Sequence, residues 1–393
     1  MISGDSRLLR RLERIFKLFF VRCLRALLGS SVSSLPPHAV FKTILVIRQH
    51  NQLGDMLCVV PLLKGLRNRF PDAFIALVAS PVNYEVMLNN PFVDEVIEYD
   101  KSEFLARGRF RFGRILQFIK SLRAYNFELA IVPSTVSTSV TSDMLAYLLG
   151  ARARIGAGSI NGRPNPSGFF FNVPVRLDWT QNPHRHQTLR NVDIAAPLAL
   201  RQQDCSLHIS LKNNEVTEAK LLYSKAKMPK SLSILLHPGA GKKPNRWPAD
   251  RFALVANILG AEYDAMVLIT SGPFDDGPVS EVEARLSAYH KIIANKPIRH
   301  VAAILSLGDL LITNDTGIMH VGAAVGIPVL SLFGPTDPNQ WAPMGALHRY
   351  VKGEKGDITS IRVEVVLRHA REMLRASIGM RGKIEIPYDL RES

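Results

Sequence analysis

The chain is poor in cysteine, and the little it has excludes two kinds of site. Cys23, Cys58 and Cys205 are scattered over 393 residues and odd in number. They make neither a disulfide framework nor a zinc site, and they suit a reducing compartment, the cytoplasm. No uninterrupted apolar run reaches the ~18 residues of a spanning helix. The longest candidate, Val321 to Pro335, contains Gly326 and Pro328 and reads as helix, turn and strand. There is no Asp-x-Asp, no GxxxxGK[ST], no HExxH and no GxSxG. Metal chelation of a diphosphate by paired aspartates, P-loop binding, zinc proteolysis and serine hydrolysis therefore lack their usual residues. His184, His186 and His208 lack metal-ligand spacing. Gly156-Ala-Gly158 with Gly162 has the wrong spacing for a dinucleotide fingerprint, and no clear strand precedes it. Acidic residues are also in the minority. The 34 Asp and Glu stand against 49 Lys and Arg, a net charge of +15. An anionic partner follows: nucleic acid, a membrane surface or a phosphorylated ligand.

What is present is a globular composition, 47% hydrophobic and 21% charged, with length for two domains or three. Thr43 to Ile47 is a short β-branched strand, followed by the loop Asn51–Gly54 and a helix from Asp55 through Leu66. Strands at 74–79 and 93–99, a helix at 115–125 and a strand at 129–132 continue the alternation. Residues 160–185, rich in Pro, Gly, Asn and Arg, read as loops. After a polar helix (213–227) the pattern restarts. Strands at 233–236, 266–270, 310–312 and 328–333 alternate with helices at 252–259, 281–289 and 316–325. Such alternation means parallel α/β units. The expected division is 1–37, a helix and linker; 38–200 and 201–375, two α/β domains; and 376–393, a tail.

Residues 1–30 carry seven cations against Asp5 and Glu13. At 100° per residue the cations fall within roughly 140°, opposite Leu8, Leu12, Ile15, Phe16, Phe19, Cys23 and Leu27. This basic amphipathic helix either lies in an anionic membrane interface or packs on the protein's own core. Lys17 and Arg22 break any signal-peptide core. Residues 101–123 hold seven further cations against Glu103, interleaved with four phenylalanines. This segment is an ordinary exposed helix and loop, a nucleic-acid surface, or an acceptor-side patch that meets a phosphorylated glycolipid or the bilayer.

Four motifs carry chemistry, each at the end of a strand, where open α/β sheets bind ligands. Gly54-Asp55 gives a sharp turn and an acid at a helix N-terminus; Asp55 is a helix cap, a base, or both. In His237-Pro-Gly-Ala-Gly-Lys-Lys-Pro-Asn-Arg-Trp-Pro248, backbone amides with Lys242, Lys243 and Arg246 make a solvated basic loop or a diphosphate site. In Asn314-Asp-Thr-Gly-Ile-Met-His320, Thr316 and Gly317 open a helix, an anion site. His320, one turn on, is a core histidine or a second donor to that anion. Phe333-Gly-Pro-Thr-Asp-Pro338 ends a further strand in a tight loop.

Together these motifs resemble glycosyltransferase family 9, the ADP-heptose:lipopolysaccharide heptosyltransferases. The likeness runs from about residue 42 to 375, strongest over ITNDTGIMHVGAAVGIPVLSLFGPTDPNQWAPMG, residues 312–345, and includes Ile44-Leu-Val-Ile-Arg48, Gly54-Asp55 and Pro61. It implies a GT-B fold, two Rossmann-like domains facing across a cleft, and an inverting, metal-independent transfer of a sugar from a nucleotide donor, with no cofactor. It implies Asp55 as the catalytic base. Donor contacts are implied at Gly54, His237, Gly239, Lys243, Arg246, Trp247, Gly272, Asp275, Asp315, Thr316, Gly317 and His320. The family's Lys two residues before Trp-Pro is Asn245 here, so Arg246 or Lys243 substitutes. The expected partners are a nucleotide-sugar donor, a phosphorylated glycolipid acceptor and an anionic membrane surface, with no nucleic acid. The expected location is cytoplasmic, peripheral on the inner membrane. The competing classes are a non-catalytic nucleotide-sugar or lipid binder and a nucleotide-sugar epimerase. A nicotinamide dehydrogenase lacks its glycine fingerprint.

Overall fold

The computed structural model describes residues 24–25, 28, 32–36, 38–50, 52–106, 109–200, 204–225 and 232–381. The basic helix expected over residues 7–28 lies outside them apart from Leu24, Arg25 and Leu28, as does the tail beyond 381. The chain divides into two compact units, residues 1–205 and 206–393.

The first unit runs β1 (Thr43–Arg48), α1 (Leu53–Leu57), α2 (Val60–Arg69), β2 (Phe74–Ala79), α3 (Pro81–Met87), β3 (Glu95–Glu98), α4 (Lys101–Phe104), β4 (Leu105–Ala106), β5 (Arg109–Phe110), α5 (Phe112–Arg123), β6 (Leu129–Val132), α6 (Val140–Leu148), β7 (Ala153–Ile160), β8 (Arg163–Pro164), β9 (Val173–Leu177) and α7 (Gln187–Ile194). Its main sheet has the order β3-β2-β1-β6-β7, with β9 and β8 both paired to β7. Every pairing in that sheet is parallel except β7 with β8. β1 is buried from Ile44 onward, as a parallel strand covered on both faces must be. The helix expected from Asp55 through Leu66 is two helices. Pro61 stands in the first turn of α2, where its missing N–H costs nothing and where it starts a new helix.

Residues 160–185, expected as loops, contain β8 and β9. Pro174 stands inside β9, but β9 is an edge strand paired only to β7, where proline is tolerated. The glycines at 156 and 158 lie inside β7. A Cβ on Gly156 would meet the Phe171 ring at 2.2 Å, and one on Gly158 would meet Pro174 Cβ at 2.9 Å. They make room for a ring and an edge strand rather than for a cofactor.

The second unit runs α8 (Asn213–Lys225), β10 (Ser233–His237), α9 (Ala249–Tyr263), β11 (Met266–Ser271), α10 (Asp276–Glu283), β12 (His290–Ala294), α11 (Ile298–Leu305), β13 (Leu310–Asn314), α12 (Gly317–Ala324), β14 (Val329–Phe333), α13 (Pro338–Trp341), β15 (His348–Lys352) and α14 (Val363–Arg381). Its all-parallel sheet has the order β12-β11-β10-β13-β14-β15. Read from its own first strand this is 3-2-1-4-5-6, the Rossmann order. The helix expected over 281–289 starts earlier and stops at Glu283, with Gly277 and Pro278 accommodated in its first turn. β12 and β15 are half-buried edge strands, and each opens on a histidine followed by a cation, His290-Lys291 and His348-Arg349, which masks them in the sequence.

Each unit has its own apolar core, around Leu45, Val78 and Phe171 in the first and around Leu236, Phe252 and Trp247 in the second. No helix among the described residues is long and apolar enough to cross a membrane.

One buried acid gives the first unit a pH signature. Asp143 of α6 accepts hydrogen bonds from Ser167 Oγ (2.6 Å) and Asn165 Nδ2 (2.9 Å). Burial nevertheless pushes its carboxyl from 3.8 up to about 6. The folded state then holds the proton more tightly than the unfolded one. This group's contribution to stability therefore falls as pH rises from 3.8 to about 6. Asp143→Asn is expected to flatten the pH dependence of the first unit's melting across that window. An unchanged slope would show that Asp143 does not titrate there.

Candidate active site

In both units the strand order reverses between two neighbouring parallel strands: β1 and β6 in the first, β10 and β13 in the second. At such a switch point the following loops part and leave a crevice at the carboxyl edge. Three of the four expected motifs fall at these two places, and the fourth, Phe333–Pro338, follows β14, the neighbour of β13.

In the first unit, Gly54 and Asp55 lie in α1, just after β1. Helix α1 is capped at Gln52, so Asp55 stands in the first turn rather than at the cap, where the helix dipole favours its charge. Its carboxylate is buried and pairs with Arg48, the last residue of β1, at 3.0 Å. Arg48 Nη1 in turn donates to the carbonyl of Pro133, just after β6, at 2.5 Å. Arg48 thus spans the switch point and fixes the carboxylate at its mouth. Burial lowers the Arg48 pKa, and the Asp55 charge opposes that. Thr135 Oγ1, on the loop after β6, is buried without a hydrogen-bond partner. Sequence reasoning gave Arg48 no role; the available signal was a charge closing an otherwise apolar strand.

In the second unit, Asn314 spans the switch. Its Nδ2 donates to the carbonyls of Pro238 (2.9 Å) and Gly239 (3.3 Å), and its Oδ1 accepts from the Trp247 N–H at 3.0 Å. One side chain at the end of β13 therefore shapes the loop after β10. The Trp247 side chain is 2% exposed. It packs edge-to-face on Phe252 and donates from Nε1 to the Ile361 carbonyl at 3.0 Å. It anchors the loop in the core.

His237 is buried, with Nδ1 against Thr270 Oγ1 at 3.0 Å. Burial lowers its pKa, and the nearby Asp275 opposes the shift. Asp275 accepts the Gly272 N–H at 2.9 Å, and its Oδ2 lies 3.7 Å from His237 Nε2. A Cβ on Gly239 would stand 2.1 Å from the Asp275 carboxylate. His237, Gly239, Gly272 and Asp275 are thus brought together.

The loop after β13 lies beside this group. Thr316 caps α12 in an extended conformation with no side-chain capping bond, and its Oγ1 is buried without a partner. With the first N–H groups of α12, at Gly317, it offers donors to an anion. His320, one turn into α12, is 3% exposed and edge-on to Trp341. Asn245 Nδ2 donates to Asp315 Oδ2 at 3.1 Å and to Thr336 Oγ1 at 3.4 Å. Burial raises the Asp315 pKa, opposed by its bond to Thr336 and by the charges of Lys242 and Lys352. Lys352, which sequence reasoning passed over, donates to the carbonyls of Gly334 and Thr336. Arg246 Nε is taken up by the Ala240 carbonyl at 2.8 Å, while Lys242 and Lys243 are exposed. Among the described residues no three His, Cys, Asp or Glu side chains gather as metal ligands would.

The sequence profile of glycosyltransferase family 9 (heptosyltransferase) matches residues 115–366, well over half of the chain. The chain belongs to that family. Lipopolysaccharide heptosyltransferase 3 of Escherichia coli is 25% identical over 306 residues, 74% of this chain and 83% of that protein. Among solved structures, the family 9 glycosyl transferase of Veillonella parvula superposes with a TM-score of 0.75 at 24% identity, covering 86% of this chain and 98% of that one. The E. coli ADP-heptose lipopolysaccharide heptosyltransferase II superposes with a TM-score of 0.72 at 21% identity, covering 86% and 99%. The fold of this glycosyltransferase is accordingly GT-B, with two Rossmann-like units.

Proposed function

We propose that this glycosyltransferase moves heptose from ADP-heptose onto a lipopolysaccharide-core acceptor, with inversion and without a metal ion, at the inner face of the cytoplasmic membrane. The observation that carries the reading is the Thr316-Gly317 loop. It places a buried, unpartnered hydroxyl and the start of α12 at the switch point of the second unit. That is a place built for a diphosphate. The similar E. coli proteins are a lipopolysaccharide heptosyltransferase and an ADP-heptose lipopolysaccharide heptosyltransferase, which supports heptose as the sugar and lipopolysaccharide as the acceptor.

In this mechanism Asp55 takes the proton of the acceptor hydroxyl as its oxygen bonds to the anomeric carbon. The bond from that carbon to the diphosphate oxygen breaks, and its electron pair leaves with the nucleotide. Negative charge then grows on the diphosphate. Thr316, Gly317 and the α12 dipole receive it, with His320, Lys243 and Arg246 as further donors. These groups supply the positive charge that a metal would otherwise bring. Gly272 and Asp275 would contact the nucleoside-sugar.

The test is the melting of the purified protein with ADP, UDP, GDP, CMP and NAD in turn. A ligand at 100 times its Kd adds about 2.7 kcal/mol, and a unit of this size gains roughly 2–4 °C per kcal/mol. ADP alone is expected to raise the second unit's transition by several degrees. A shift with UDP or GDP instead would keep the transferase and discard ADP-heptose, and no shift with any nucleotide would overturn the donor site.

A further inference from the structure

Helix α5 carries more apolar surface than the first unit covers. Leu122 is its buried residue, and Ile115, Phe118 and Ile119 are half-buried. Phe112 and Leu116, one turn apart, are 71% and 67% exposed. At 3.6 residues per turn they sit directly beside Ile115 and Ile119, so the exposed pair is the outer flank of one continuous apolar face. Between α5 and α6 that face borders a cavity of ≈ 380 Å³. Its lining is mainly apolar, including Phe104, Phe118, Met144 and Leu148, with Lys101 and Thr141 among its polar groups. Its volume falls in the range of about 300–1,000 Å³ typical of ligand pockets. The surrounding charge has one dominant sign. Lys101, Arg111, Arg114, Lys120 and Arg123 are all exposed around this helix, against Asp100 and Glu103.

Exposed phenylalanine and leucine ringed by cations, over an apolar cavity, complement an anionic bilayer on both counts. The ring takes headgroup charge and the apolar flank takes hydrocarbon. A nucleic-acid surface would need the cations but not the cavity. We propose that α5 seats on an anionic bilayer with Phe112 and Leu116 below the headgroups, and that the cavity between α5 and α6 holds one acyl chain of a bilayer lipid. This deepens the membrane reading above and is independent of the sugar transferred.

The test uses the full chain and vesicles of phosphatidylcholine, with or without phosphatidylglycerol, free of donor and acceptor. Two variants carry reporters, Phe112→Trp on the exposed flank and Phe118→Trp in the cavity lining. Lipids brominated along their chains are expected to quench both above the wild-type background, on the anionic vesicles only. The double variant Phe112→Ser/Leu116→Ser, at exposed positions, is expected to bind those vesicles about tenfold more weakly or worse. Quenching of Phe112→Trp should survive deletion of residues 1–30. Unquenched Phe112→Trp, or unweakened binding of the double variant, would overturn the docking. Quenching of Phe112→Trp without Phe118→Trp would overturn chain entry. Quenching of Phe118→Trp only after acceptor glycolipid is added would assign the cavity to the acceptor's chain, and would overturn the proposal as stated.

Discussion

Asp55→Asn is expected to lower kcat by about 10²–10⁴-fold, the usual contribution of a general base, with a much smaller change in the donor's KM. Asparagine keeps the shape of the side chain but cannot take a proton. The substitution also has a structural cost, because Asp55 is the counter-charge of Arg48 at 3.0 Å in a buried setting. Removing one partner of a buried pair costs about 3–5 kcal/mol, so the first unit should melt several degrees lower. The two effects separate in the double variant Arg48→Met/Asp55→Asn. With neither charge left, stability should return while turnover stays low. Steady-state kinetics below the lowered transition, together with melting curves for both variants, decide it. If Asp55→Asn turned over within a few-fold of wild type, Asp55 would be no more than the partner of Arg48.

Trp247→Ala is expected to have the largest effect on the second unit. The ring is 2% exposed, meets Phe252 at 5.1 Å between centroids and donates to the Ile361 carbonyl. Truncating such a side chain costs about 3–5 kcal/mol, or roughly 6–20 °C for a unit of this size. Trp247→Phe keeps most of the packing, loses the bond to Ile361, and should fall between. A loss under about 1 kcal/mol for the alanine variant, read from the second melting transition, would show that the loop after β10 does not hang on this ring.

Much of the fold was legible because buried parallel strands announce themselves. Thr43 to Ile47, Phe74 to Ala79 and Ser233 to Leu236 are short β-branched or leucine-rich runs that can only be covered on both faces. Of the edge strands, β3 was legible within 93–99, but the others were not. His290–Ala294 and His348–Lys352 are half-solvated, so their composition is mixed, and Pro174 disguised β9. The motif loops were legible for a related reason: glycine, aspartate and threonine after an apolar strand mark the carboxyl edge. What holds those loops was hidden. Arg48 reaching Pro133, Asn314 reaching Pro238, and Asn245 reaching Asp315 and Thr336 join residues about 70 to 91 positions apart. Such pairs arise only from strand order, and no local pattern encodes them.

Asn314 also links the site to the order in which the chain folds. It belongs to β13, whose parallel neighbour β10 lies 76 residues earlier, as the Asn314 bond to Pro238 counts it. Closing a loop of that length is entropically costly and slow compared with the pairing of strands nearer in sequence. The neighbouring strands β10 and β11 can meet first, and so can β13 and β14. The carbonyls of Pro238 and Gly239 acquire their partner only when these halves join. The loop after β10 therefore takes shape at the last large step of the second unit's assembly, and under the proposed function nucleotide binding during refolding should lag behind the return of secondary structure.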